Sequence, residues 1–166
     1  MENSSEQTIG YRQVLALVGL IAVVIATLLL NYQQRSFGRG LVTIGDDIQV
    51  QVRVADSTPA REKGLSGTER LALDEGMLFL FSEPAKYQFW MKDMLFPLDA
   101  VWIRDGEIID LTVNVAPPQP GQDIPVFAPI KAADAVLEVP AGFAARHGLR
   151  LGLPVKYDID KRGGLR

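Results

Sequence analysis

The densest concentration of chemically capable residues is the stretch Phe89-Trp90-Met91-Lys92-Asp93-Met94-Leu95-Phe96-Pro97-Leu98-Asp99. It sets a lysine and two carboxylates among aromatic rings, the make-up of a ligand cleft in which apolar walls exclude water and a few polar groups orient what binds. There Lys92, Asp93 and Asp99 could hold a polar ligand, or act as an acid and a base with shifted pKa values. The opposing reading is structural: Asp99 follows the Pro97 turn and accepts backbone N–H bonds, and Lys92 is a solvated strand residue. Strand alternation places Trp90 and Lys92 on one face and Met91 on the other, so the lysine stem can lie along the indole. The functional reading rests on Trp90, Lys92 and Asp99 facing a common cleft.

Two more residues complete the candidate ligand-binding set. Glu138 stands between Leu137 and Val139, and alternation sends it to the face opposite both, where solvation is the simpler outcome. If that face lines a cleft, Glu138 can pair with Arg61 or Lys92. Arg61 itself fits a helix surface or a salt bridge as readily as a ligand clamp. No residue is assigned a catalytic role.

Several chemistries drop out. There is no cysteine, hence no disulfide, thiolate metal site or cysteine nucleophile. A single histidine, His147, rules out multi-histidine metal sites within one chain. Ser66 in Gly64-Leu65-Ser66-Gly67 lacks the G-x-S-x-G of a nucleophile elbow. The carboxylates lack EF-hand spacing, and no glycine loop joins a strand to a helix in the manner of a phosphate cradle. No metal or cofactor is expected. Net charge is −3 with acids and bases interspersed, which argues against a nucleic-acid partner.

The elements that must position these residues are short. Ile48 to Val54 alternates apolar and polar, a half-buried strand. Pro59 to Lys63 opens a turn or short helix that Ser57 or Thr58 can cap. Met77 to Phe81 is an apolar run between turn signals and reads as a buried strand. Tyr87 to Met91 is another candidate. Leu98 to Arg104 and Glu107 to Val115 flank Asp105-Gly106, a two-residue hairpin signal. The proline-rich segment from Ala116 to Pro129 predicts an irregular loop. Ala135 to Val139 is a strand, Pro140 to His147 a short helix ended by Gly148, and Val155 to Ile159 a closing strand. The pattern predicts an all-β sandwich or partly open barrel with one or two short helices.

Residues 14–30 form an uncharged run of seventeen residues, about 26 Å long as a helix, flanked by Tyr11 and Tyr32 where interfacial aromatics sit. This predicts a membrane anchor. A cleaved signal peptide is the alternative, but its apolar region is ordinarily shorter, and only Ser36 and Gly38 offer small side chains for cleavage. The resulting division is an N-terminal tail over 1–13, the anchor over 14–30, a glycine-bearing linker over 31–45, a β domain over 46–160 and a tail over 161–166. Arg12 and the amino terminus on one flank against Arg35 and Arg39 on the other slightly favour the reverse orientation by charge, so the expected arrangement, N-terminus inside and domain outside, rests on the general habit of such anchors. The expected location is the inner membrane, single-pass, with a secreted or periplasmic chain as the alternative.

From Val52 to Tyr157 the chain resembles the family catalogued as domain of unknown function 192. The likeness is carried by Arg61 with Gly64-Leu65-Ser66-Gly67, Asp74-Glu75-Gly76-Met77-Leu78-Phe79, Phe89-Trp90-Met91-Lys92 and Pro97-Leu98-Asp99. It continues through Leu137-Glu138-Val139, Ala141-Gly142, Gly148 and Gly152. The resemblance implies a compact β domain of jelly-roll type, often behind a signal peptide or anchor, and brings no activity. Three positions depart from it: Thr68 stands in place of an arginine, Asp93-Met94 in place of asparagine-threonine, and Leu153 in place of an acid. The functional expectation is a membrane-anchored, extracytoplasmic domain that binds a small molecule or an envelope partner. The alternative is a hydrolase or lyase acting on envelope carbohydrate, using Asp99 with Asp93 or Glu138.

Overall fold

The computed structural model describes residues 10–35 and 37–160. Two compact units divide at Ser36. The first holds one helix, α1 (Tyr11–Arg35), whose segment Tyr11–Leu29 has mean hydropathy 2.3 and is long and apolar enough to cross a membrane. The apolar helix expected over 14–30 therefore falls within a longer one. The N-terminal tail to residue 9 and the tail over 161–166 lie outside the described residues.

The second unit is a β domain. In chain order its elements are β1 (Gly38–Ile44), β2 (Ile48–Ala55), α2 (Thr58–Lys63), β3 (Glu75–Ala85), β4 (Phe89–Trp90), β5 (Leu98–Arg104) and β6 (Glu107–Val115). They continue with β7 (Val126–Phe127), β8 (Ala133–Pro140), α3 (Phe143–Arg146) and β9 (Val155–Asp160). Seven strands form one sheet in the order β6-β5-β8-β3-β2-β1-β9, and β4 pairs with β7 in a two-stranded ribbon. All neighbours are antiparallel except β2 and β3, which are joined by the α2 crossover. The outer edges meet at one end: Ile108 N–H donates to Leu153 O at 3.0 Å and Val155 N–H to Gly106 O at 2.7 Å. The sheet is thus a partly open barrel.

Strand alternation divides the apolar residues into two clusters. One fills the barrel with residues from every strand of the main sheet, among them Val42, Val52, Leu78, Val101, Ile108, Leu137 and Val155; Phe143 and Ala144 of α3 join it. The other lies on the outer face, where Met77, Phe79, Ala100, Trp102 and Val136 are covered by Leu65, Met91 and Met94. Strands β5 and β8 are therefore buried on both faces, as in sheets with a layer on each side.

Two local features differ from the sequence reading. Residues 38–44, read as linker because of their glycines, form β1 between β2 and β9. The glycine at 40 serves packing rather than flexibility: a Cβ there would stand 2.7 Å from Asp158 O. The helix read over Pro140 to His147 spans only Phe143–Arg146, with Gly148 following at φ 59°. The hairpin at Asp105-Gly106 forms as read, with φ of 52° and 74°, the left-handed pair of a type I′ turn.

Close strand packing also explains Gly76, where a Cβ would meet Glu138 O at 2.7 Å and the Val50 and Val139 side chains at 3.2 Å. Gly76→Ala is expected to destabilise the domain by about 1–3 kcal/mol through overpacking, read as a lower urea midpoint.

Candidate functional site

A cleft of about 240 Å³ opens on the outer face between α2, β3, β4 and β8, lined by Arg61, Glu62, Leu65, Ser66, Phe79, Phe81, Tyr87, Phe89, Trp90, Met94 and Glu138. Its aromatic wall is built around Phe89, which packs edge-on against Phe79 (4.9 Å between centroids) and Trp102 (5.4 Å) and lies 6.0 Å from Phe127. Edge-to-face contacts at these distances are the preferred aromatic geometry. Beside it Phe81 stacks on Tyr87 at 3.6 Å and 12°. The Arg61 guanidinium lies 5.2 Å from the Phe81 ring centre. It donates to Asp56 O (2.8 Å) and Leu80 O (3.1 Å), which ties α2 to the middle of β3. Arg61 thus holds the wall in place while bordering the cleft.

Glu138 lies in the inner part of the cleft. On β8 it stands between Met77 of β3 and Ala100 of β5, on the face opposite Leu137 and Val139, as alternation requires. That face is roofed rather than solvated, and Glu138 is only 5% exposed. Among the described residues nothing hydrogen-bonds or ion-pairs with its carboxyl. Burial disfavours the charged form and pushes its pKa up to about 8. At neutral pH this is a protonated acid, one O–H donor set among aromatic rings. Trp90, 55% exposed at the rim, is the open aromatic platform.

The candidates separate. Arg61, Trp90 and Glu138 line the same cleft; Lys92 and Asp99 are not part of that lining. The chain leaves β4 after Trp90 and turns, so strand parity does not extend to Lys92, which is exposed. Its carbonyl accepts the Ser66 hydroxyl at 2.9 Å, a bond that ties the segment after α2 to this turn. Asp99 is fully buried on the barrel side of β5. Its Oδ1 accepts Asn114 N–H at 2.8 Å and its Oδ2 accepts Ala144 N–H at 2.9 Å. The first bond satisfies a β6 residue at φ 54° beside a register shift; the second pins α3 over the barrel end. Both oxygens have structural partners.

Asp93 sits at φ 56°, a conformation that Asn and Asp enter more readily than other residues, so the exchange of asparagine for aspartate keeps the turn. Met94 is buried in the outer cluster. Thr68 receives a hydrogen bond from Arg53 at 3.5 Å, and Leu153 packs against the barrel core. Glu62, Ser66, Phe81, Tyr87 and Met94 were not singled out as cleft residues from sequence. They come from segments far apart in the chain, brought together by the α2 crossover and the β4–β7 ribbon. No group of three or more His, Cys, Asp or Glu side chains placed to hold a metal occurs among the described residues.

A model of an uncharacterized family, the domain of unknown function 192 (uncharacterized ACR), matches residues 41–157. The chain belongs to the domain of unknown function 192 family. The match takes in β2 through β8, about half of β1 and of β9, and every cleft residue. Two crystal structures are similar. One is a candidate transcription regulator from Sinorhizobium meliloti 1021: 28% identity, TM-score 0.67, covering 74% of this chain and 95% of that one. The other is a protein of unknown function from Novosphingobium aromaticivorans DSM 12444: 28% identity, TM-score 0.64, covering 70% of this chain and 83% of that one. No curated protein matches. The likenesses bear out the family expected from the sequence and bring no activity to the cleft.

Proposed function

We propose that this member of the family is a membrane-anchored, extracytoplasmic domain that binds a small ligand in the Glu138 cleft. The observation that carries the reading is the Glu138 carboxyl, buried within an aromatic-lined cavity and without a hydrogen-bond partner among the described residues; burial favours its protonated, donating form. The ligand matching this lining presents an apolar or planar face to Trp90 and a hydrogen-bond acceptor to the Glu138 carboxyl. A volume of about 240 Å³ is below the usual range for drug-sized ligands, so it suits one small ring, free or as the end unit of a longer envelope molecule. The anchoring part of the proposal is supported by the length and hydropathy of Tyr11–Leu29.

Binding is tested by chemical-shift mapping of the full chain in detergent micelles against small ring compounds, monosaccharides included. Hits should perturb the Trp90 indole and the Glu138 carboxyl, and affinity should fall about tenfold or more in Trp90→Ala, a loss on the order of one aromatic contact plus its buried area. Hits that map elsewhere, or that bind Trp90→Ala and Glu138→Gln unchanged, would contradict the assignment. Protease accessibility in spheroplasts tests the topology; a protected domain would reverse it.

One observation favours a second reading. Glu62 lines the same cleft as Glu138, so an acid with a raised pKa shares a cavity with a second carboxyl group, the arrangement used for general acid–base chemistry. With Asp99 committed to backbone amides, the hydrolase or lyase alternative would run through Glu138 and Glu62. Turnover of an envelope saccharide that disappears in Glu138→Gln would establish it.

A further inference from the structure

A second groove, of about 390 Å³, lies on the outer face of the domain away from the cleft, lined by Arg39, Arg53, Thr68, Arg70 and Glu75 among others. Arg39 and Arg53 stand directly opposite each other in the β1–β2 pairing, on the same face of the sheet. Like charges so placed repel and weaken the pair. On the other side of β1, Arg39 is opposite Asp160 in the β9 register. Among the described residues neither Arg53 nor Arg70 makes an ion pair within 4.0 Å, and Glu75 turns Oε2 to the Ala72 N–H at 3.1 Å. Arg53 is half-buried and already oriented: its guanidinium lies 5.9 Å from the Phe37 ring centre and donates to the Thr68 hydroxyl at 3.5 Å. Burial lowers its pKa, with Glu75 partly restoring it, so an incoming anion would relieve an unfavourable charge. Guanidinium forks suit the oxygens of a phosphate.

We propose that this groove binds the phosphate group of a phosphomonoester, with Arg39, Arg53 and Arg70 as the charge clamp and Thr68 as a hydroxyl partner. The anion replaces repulsion between Arg39 and Arg53 with shared bonds to one dianionic group, which is the electrostatic purpose of opposing two arginines on one sheet face. The site is independent of the Glu138 cleft and shares none of its lining.

The shared chemistry has two sources, a soluble phosphomonoester and a lipid headgroup, and the probes distinguish them. Calorimetric titration of the full chain in neutral detergent should use glycerol phosphate, short-chain phosphatidic acid below its micelle concentration, and a DNA duplex. Binding of glycerol phosphate as tightly as phosphatidic acid identifies a soluble ligand; preference for phosphatidic acid identifies a headgroup. In either case Arg53→Gln should weaken binding about tenfold or more, Arg70→Gln should weaken it as well, and affinity should fall as salt rises. Arg70 is exposed, so its replacement leaves the fold in place and keeps the test decisive if Arg53→Gln unfolds. Glu138→Gln should bind as the wild type does. Absence of binding by both small phosphates, equal binding by the two arginine variants and the wild type, or preference for the duplex would overturn the proposal.

Discussion

A Glu138→Gln chain is expected to hold its stability between about pH 5 and pH 8, whereas the wild-type chain loses on the order of 5 kcal/mol across that window. The sign follows from the pKa, raised from 4.5 to about 8 by burial. Below 4.5 the carboxyl is protonated in both states and contributes no pH dependence. As pH rises above that, the unfolded chain releases its proton while the folded chain keeps it. The unfolded state gains until the folded group itself titrates near 8, after which the loss is complete. Glutamine is neutral throughout and carries no such penalty. Because other titrating groups are common to both chains, the difference between wild-type and variant urea midpoints isolates Glu138. A loss of this size is comparable to the whole stability of a small domain, so the wild-type midpoint should fall visibly on the alkaline side. Parallel midpoints for the two chains would mean that the carboxyl is charged in the folded state.

The second large effect belongs to Asp99. Replacing it by alanine strips the acceptors from Asn114 N–H and Ala144 N–H and leaves the Ala144 donor buried without a partner. Both bonds are lost, and an orphaned buried donor costs its desolvation as well. Asp99→Ala should therefore destabilise by about 3–5 kcal/mol, with hydrogen exchange quickening first in α3 and at the β6 register shift. Asp99→Asn keeps one acceptor and turns an NH₂ toward the other amide, so it should fall between the two. Since Asp99 does not line the Glu138 cleft, the fraction of Asp99→Asn that folds should bind cleft ligands as the wild type does.

Most of the barrel was legible because its strands alternate or run apolar over several residues, and Ile48–Ala55 follows its pattern closely. Residues 38–44 were not, since Gly38 and Gly40 suggest a linker locally, and only the close approach of β9 explains why glycine stands at 40. Lys92 was misplaced because periodicity cannot tell where a strand ends; the chain turns after Trp90. Glu138 was given its correct face but an open environment. The signal was present in Val136, an apolar residue on the same face, in a strand apolar at nearly every other position. Such a strand reads as buried on both sides, and Glu138, set in its apolar run, is then buried too. The cleft as a cavity was not legible, because it forms where segments far apart in the chain meet over β3 and β8.

The role of the cleft is tested most directly by titrating the Glu138 carboxyl itself, followed by its ¹³C resonance in selectively labelled full-length chain, with Glu138→Gln to assign the signal. The expected midpoint is near 8, moved further upward when a cleft ligand accepts the acid's proton in a hydrogen bond. A midpoint in the ordinary carboxylate range, unaffected by such a ligand, would contradict it.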